Sequence, residues 1–400
     1  MTDLHGATTL LAVSAPTLPI GSQRGLFDIP AGVAYFNTAY NSPQLNASRE
    51  RLVAAAGAKS RPWERTPDDF FADAETIRQL CARLFGGDSD GYAIIPAASY
   101  GVSTAARAIE PRLSTGDRII VLDEEFPSNV LPWRRVARET GARVVTVPTP
   151  DDFDWTSAAL REIERGAKVV ALFHAHWTNG SLVDLVQIGN ACRTVGATLV
   201  IDATQSLGAL PLDLQAVRPD FLVAAGYKWL LCPYGFGVMY VAPAWRDARP
   251  LEEHWLGREG ASNFTALANY VDEYRAGARR FDVGETCVTT ILPGAIAALE
   301  QLGAWGIGTI AATLAVINRR IAERLVELGL ELPADQVRGP HMFGARLPDG
   351  SDAPRVVAAL RERGVFVSQR GQSLRFAPHL HVTETDIDRL FDAVEVALGA

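Results

Sequence analysis

Four hundred residues, 48% hydrophobic and 21% charged, describe an ordinary globular chain with room for a large core and two domains. A formal net charge of −8 with no basic stripe argues against nucleic acid or an anionic membrane as partner. Four cysteines, Cys81, Cys192, Cys232 and Cys287, lie far apart without metal-ligand spacing, which suits reduced thiols and no metal site.

The start, Met1-Thr2-Asp3-Leu4-His5, lacks the basic opening of a signal peptide, and the apolar run at 9–13 is too short to span a membrane. Cytoplasm is the expected location. Residues 1–30, with Pro16, Pro19 and Pro30, read as an extended arm that packs on the body or on a partner subunit. A strand-to-turn segment follows at 34–43, then a loop at 61–65 and a helix expected over 68–85. Tyr92-Ala93-Ile94-Ile95 reads as a strand that leads through small residues into a helix near Ser99. Amides at such a helix start bind phosphate, and Ser99 would also serve there as an N-cap. Strands are expected at 117–122, 143–147 and 168–173. His174 and His176 stand just past the last of these strands, with no further metal ligand in reach. A helix at 185–195 crosses to a strand ending in Asp202, and right-handed crossovers of this kind build a mostly parallel sheet. The next strand runs to Ala225 and ends in Gly226-Tyr227-Lys228. A long loop spans 250–290. Apolar residues at i, i+3 and i+4 then predict one helix from about 291 to 328, joining a smaller domain with strands at 344–347 and 365–367. A closing helix over 383–398 takes Thr383 and Asp386 as its cap.

The chain has three lysines, Lys59, Lys168 and Lys228. Arginine cannot replace lysine as an amine nucleophile, because its guanidinium stays protonated. Lys228 sits among Ala, Trp and Leu, where desolvation lowers its pKa and frees the amine. That suits a Schiff-base lysine; a snorkelling lysine covering apolar surface is the bland alternative. Asp202 ends an apolar strand, at the edge where open α/β sheets bind ligands. Pyridoxal 5'-phosphate (PLP) needs a carboxylate for its pyridinium nitrogen and a donor for its phenolic oxygen. Asp202 and Gln205 suit those roles, although an Asp after a strand is also a common turn residue.

The segments Ile201-Asp202-Ala203-Thr204-Gln205-Ser206-Leu207-Gly208 and Ala225-Gly226-Tyr227-Lys228-Trp229 resemble the core of the class V aminotransferase family of fold-type I PLP enzymes. That family includes cysteine desulfurases, selenocysteine lyases, kynureninases, isopenicillin N epimerase-like proteins and aminotransferases. The resemblance runs from about Tyr35 to the C-terminus. It implies an α/β fold with a mostly parallel sheet in a large PLP-binding domain (31–290) and a smaller α+β C-terminal domain (291–400), onto which the arm packs.

By the same resemblance, Asn37, Thr38 and Tyr40 contact substrate, and Ser99 with the amide of Tyr100 holds the phosphate. Phe126 takes the place of the histidine that stacks on the cofactor ring, and a phenyl ring stacks but cannot carry a proton. Trp177 stands where relatives carry an Asn near the phenolic oxygen. It would pack, and only its indole N–H could donate. Tyr227 occupies a usual His position, within reach of the phosphate, and Ala225 replaces a Ser donor. Thr289, or Thr290 beside it, would reach the other subunit's phosphate, which implies a homodimer with a shared site. Arg375 matches the substrate-carboxylate arginine, whose planar fork suits a carboxylate. Arg370 is a second candidate.

Residues 364–374 contain no cysteine, which discounts desulfurase and selenocysteine lyase chemistry. The expected activity is a class V aminotransferase acting at the α-carbon of an amino acid through Lys228. The alternatives are a C–S or β-lyase, an epimerase, and a non-catalytic binding module of the same fold. Trp177, Tyr40, Trp63 and Phe126 suggest an aromatic pocket for a bulky or apolar substrate. An oxidoreductase of the Rossmann type is disfavoured, because no Gly-x-Gly-x-x-Gly follows a first strand.

Overall fold

The computed structural model describes residues 18–399, so the first 17 residues of the expected arm lie outside it. The first half contains β1 (Ala34–Tyr35), α1 (Asn46–Ala58), α2 (Ala72–Phe85), β2 (Tyr92–Ile95), α3 (Ala98–Ile109), β3 (Arg118–Leu122), α4 (Leu131–Thr140), β4 (Arg143–Val147) and α5 (Trp155–Glu164). It continues with β5 (Val169–Phe173), α6 (Leu185–Val195), β6 (Thr198–Asp202), α7 (Leu214–Val217), β7 (Phe221–Ala225) and β8 (Gly237–Val241). After a long loop come α8 (Leu292–Trp305), α9 (Ile307–Glu327), β9 (Phe343–Arg346), α10 (Ala353–Glu362), β10 (Val365–Phe366), β11 (Ser368–Arg370), β12 (Ser373–Phe376) and α11 (Glu384–Leu398).

Seven strands form one sheet in the order β2-β8-β7-β6-β5-β3-β4. Only β8 runs against its neighbours, β2 and β7; the other ladders are parallel. Successive residues of its strands fall into two separate cores. Ile120, Leu122, Val170, Leu172, Ile201 and Leu222 pack on one face. Ile119, Val121, Val169, Ala171, Val200 and Phe221 pack on the other. A period of two with apolar residues on both faces is what a helix-covered parallel sheet requires. It also brings the C-terminal ends of β3, β5, β6 and β7 to one edge, where loops carrying polar residues can converge.

The smaller antiparallel sheet has the order β11-β12-β9. Segments between residues 23 and 37 are joined to the C-terminal region. β1 pairs in parallel with β10, Asn37 bridges to Ala377, and the Gln23 amide donates to Leu380 O at 2.7 Å. Arg24 pairs with the buried Asp386 at 2.6 Å. Helices α1 and α8 meet closely at Gly294, where an added Cβ would lie 2.6 Å from Leu52 Cδ2.

Two expected helices are divided. The stretch 68–85 opens with a 3-10 turn, Pro67–Phe70, capped by Thr66 and Asp69, and α2 proper starts at Ala72. The continuous helix expected over 291–328 is α8 and α9, bent by 75°. Gly306 between them has φ +76°, a left-handed conformation that ends one helix and redirects the next. The closing helix has the expected Thr383–Asp386 capping box. No single helix among the described residues is long and apolar enough to cross a membrane.

Candidate active site

Lys228 follows β7, whose five residues are all buried. The strand leaves the sheet through Gly226, where a Cβ would stand 2.6 Å from Phe236 Cδ1, so only glycine lets the chain pass. The turn is fixed by Gly226 N donating to Phe236 O (2.8 Å) and Cys232 N donating to Gly226 O (3.0 Å). These bonds aim Lys228 inward, where it is only 8% exposed. Burial lowers its pKa to about 8, opposed by the Asp202 carboxylate and reinforced by the charges of Arg375 and Arg370.

Asp202 ends β6 one strand away. Its Oδ1 accepts from the Thr204 amide at 2.9 Å, and the Thr204 hydroxyl accepts from Ala225 N at 3.2 Å, so one residue ties the carboxylate to the Lys228 strand. Burial raises the Asp202 pKa, offset by the Thr204 hydrogen bonds and by Lys228. Gln205 is less free than the sequence suggests. Its Nε2 donates to Ala39 O at 3.1 Å and its Oε1 accepts from the Trp229 indole at 3.0 Å. One amide N–H is left for a ligand.

Lys228 stands where two cavities meet. The first, about 240 Å³, reaches Asp202, Glu125 and the start of α3. The second, about 250 Å³, reaches Tyr40, Arg370 and Arg375. Both share Phe126, Trp177, Gln205, Tyr227, Lys228 and Tyr234. The Lys228 ammonium lies 5.6 Å from the Phe126 ring centre and 5.7 Å from that of Tyr227. Tyr227 stacks on Tyr234 at 4.1 Å, and burial pushes its pKa up to about 12. Phe126 meets Trp177 edge to face at 5.7 Å. The Trp177 indole N–H is already committed to Glu124 O at 2.7 Å, so Trp177 lines the site by packing alone.

Ser99 lines the first cavity, but the helix N-cap is Ala97, not Ser99. The Tyr100 amide donates to Ala97 O at 3.1 Å, and Tyr100 is not among the lining residues. Its hydroxyl instead points to Asp282 O at 3.3 Å. The amides of Ala98 and Ser99 are the ones without an intrahelical acceptor, as at any helix start. Of the two expected phosphate positions, Ser99 thus offers a free amide, whereas the Tyr100 amide is already bonded.

Arg375, on β12, is 1% exposed. Its Nη1 donates to Trp177 O at 2.6 Å, while Nη2 reaches Ser368 Oγ at 3.3 Å and Asn37 Oδ1 at 3.4 Å. Its Nε has no partner among the described residues. Burial lowers its pKa to about 9, with Arg370 adding to the effect. Asn37 thus holds Arg375 and is not itself a lining residue, while Thr38 is fully buried. Tyr40 lines the second cavity and is 61% exposed. Trp63 is 77% exposed and lines neither cavity. Thr289 and Thr290 also lie outside both cavities of their own chain.

Sequence reasoning missed Glu125. It is buried in the first cavity, with Oε1 accepting from Phe126 N (2.8 Å) and Oε2 from Asn129 Nδ2 (3.1 Å). Burial and the nearby Asp202 raise its pKa to about 8. In the run Asp123-Glu124-Glu125 it looks like one more solvated acid. The turn Pro127–Asn129 that folds it inward was the available signal. His174 and His176 lie in the turn after β5. His176 is buried, with Nδ1 2.8 Å from the Thr178 hydroxyl, and burial lowers its pKa to about 4.

A buried carboxylate, a desolvated amine and free helix-start amides in one cavity fit PLP. Among the described residues Lys228 is the one cation that acts on Asp202, and a protonated ring nitrogen would supply a second. Fold and site together define a fold-type I PLP enzyme. The pattern of the family described as aminotransferase class-V matches residues 42–386, and the chain belongs to that PLP-dependent family. The chain is 27% identical to isopenicillin N epimerase from Streptomyces clavuligerus, over 94% of this chain and 98% of that one. The apo cysteine desulfurase of Thermococcus onnurineus NA1 superposes with a TM-score of 0.81 at 20% identity, covering 96% of this chain and 100% of that one. A C-DES mutant with glycine covalently linked to its PLP cofactor gives a TM-score of 0.83 at 19% identity, covering 93% and 98%.

Proposed function

We propose that the protein is a PLP-dependent aminotransferase that acts at the α-carbon of an amino acid. The observation that carries this reading is the position of Lys228, whose amine stands between the Asp202 cavity and the Arg375 cavity. Asp202 would pair with the ring nitrogen, Phe126 would cover the ring, and the amides of Ala98 and Ser99 would take the phosphate. When bound, the cofactor withdraws electrons from the bond broken at the substrate's α-carbon. Arg375 binds and orients the substrate carboxylate. Lys228, with a pKa of about 8, is a base near neutral pH and carries the α-proton.

Among the described residues it is the one amine lining either cavity, and Phe126, which shares the site with it, cannot carry a proton. One lysine that moves a proton between two carbons suffices for transamination. The near full-length likeness to an epimerase supports a second reading, inversion at the same carbon.

The absorption spectrum of the holoprotein with a panel of L-amino acids separates them. Transamination bleaches the cofactor to its amine form and releases a keto acid. Epimerisation returns the spectrum unchanged while the added amino acid loses optical activity. The working unit is a homodimer in this reading. Support comes from Thr289 and Thr290, which lie away from their own chain's cavities, and from Tyr40 and Tyr234, 61% and 69% exposed beside the site. Sedimentation analysis giving a monomer at assay concentration would contradict it.

A further inference from the structure

We infer that the substrate is an α-amino dicarboxylate, whose second carboxylate is held by Arg370 while Arg375 holds the first. This rests on the amino-acid reading above only for which end of the substrate faces Lys228.

The hairpin register brings the two arginines together. Ser368 pairs with Arg375, and Arg370 pairs with Ser373. Residues two apart on a strand share a face, as do cross-strand partners, so Arg370 and Arg375 are diagonal neighbours on one face. Gly371, with φ +58°, makes the tight turn that joins their strands. Both side chains line the same cavity of about 250 Å³, beside Lys228.

No acidic side chain lines that cavity among the described residues. The acceptors around Arg375 are all neutral: Trp177 O, Ser368 Oγ and Asn37 Oδ1. Arg370 donates from Nη1 to Gln369 O at 2.7 Å, its Nε is buried without a partner, and its guanidinium lies over the Trp177 ring at 5.3 Å. Elsewhere in the fold the buried Arg78 is paired with Asp282, and the partly buried Arg279 with Glu75 and Asp90. Two guanidiniums on one face repel each other, and partly buried charge without a counter-ion is costly. A ligand with one carboxylate satisfies one fork and leaves the other unpaired. A ligand with two satisfies both. The aromatic residues expected to mark an apolar pocket have another use here, since Trp177 is the platform on which Arg370 rests.

The test is calorimetric titration of the holoprotein with glutarate and with valerate. Both have five carbons, and neither has an amino group to react with the cofactor. Wild type is expected to bind glutarate at least about ten-fold more tightly than valerate. In Arg370→Ala the ratio falls to near one with valerate affinity unchanged. Arg370→Lys, which keeps the charge but loses the fork, retains an intermediate preference. Equal binding of the two acids by wild type overturns the inference, as does an Arg370→Ala variant that weakens both equally, the mark of one carboxylate shared by both arginines. A protein that discriminates the acids but takes up no PLP would refute the proposed function and leave the two-arginine dicarboxylate site standing. A coloured holoprotein that does not discriminate would do the reverse.

Discussion

On the Asp202 side of Lys228, the key side chains hang from the ends of adjacent parallel strands. On the Arg375 side they come from segments 338 positions apart, with Asn37 near one end of the chain and Arg375 near the other. The first region is internally balanced. Thr204 links the carboxylate of β6 to the backbone of β7, and Lys228 offsets the charge of Asp202. The second is not balanced, since Arg375 is buried among neutral acceptors with its Nε unpaired. A resident group suits a site whose polarity is largely built in. An exchangeable anion suits one whose positive charge is left open, because unbound cations there are costly and the ligand relieves the cost.

Lys228→Ala is expected to have the largest effect, removing both covalent attachment and the proton carrier. Turnover should fall by about three orders of magnitude or more, with the cofactor lost on dialysis. Retention of turnover within ten-fold would break the distinction between the two cavities at its centre. Next comes Arg375→Ala, which should raise KM about 100-fold with a smaller change in kcat, as expected for loss of one partner of a buried charged pair. Arg375→Lys should recover little, because an ammonium lacks the fork. An unchanged KM in steady-state kinetics would place the substrate carboxylate elsewhere.

Smaller again is Asn37→Ala, which frees one acceptor of Arg375 without touching substrate. A KM rise of about three- to ten-fold is expected, with the pH profile of kcat unmoved.

The smallest effect concerns Glu125, on the balanced side. Its folded pKa of about 8 lies above the ordinary carboxylate value, so its contribution to stability is fully present below the unfolded pKa. It is lost as pH rises through about 8. Glu125→Gln should therefore flatten the fall in melting temperature between pH 5 and about 8, without moving it at pH 4. A parallel fall in variant and wild type would mean that Glu125 is ionised in the fold.

The balanced region was largely legible in the sequence. Asp202 and Lys228 each terminate an unbroken apolar run, and a strand end followed by a turn is a local signal that survives without tertiary information. Glu125 was not legible, because its burial depends on the turn at Pro127–Asn129 folding it against Asp202. The N-cap was expected at Ser99 but falls at Ala97, because helix phase depends on the backbone turn that starts it. In the open region, Arg375 was identified only by resemblance. The hydrogen bond from Arg375 to Asn37 was not legible, since nothing near residue 37 announces a partner near residue 375. The pairing of Arg370 with Arg375 needed the hairpin register. The bend after Trp305 was hidden by a helical period that continues through Gly306.

One experiment tests the position of Lys228 most directly. The holoprotein is reduced with borohydride, digested and mapped by mass spectrometry for the pyridoxyl adduct. With only Lys59, Lys168 and Lys228 in the chain, the outcome is unambiguous. The adduct is expected on Lys228 alone. An adduct on Lys59 or Lys168, or none after incubation with PLP, would contradict the account.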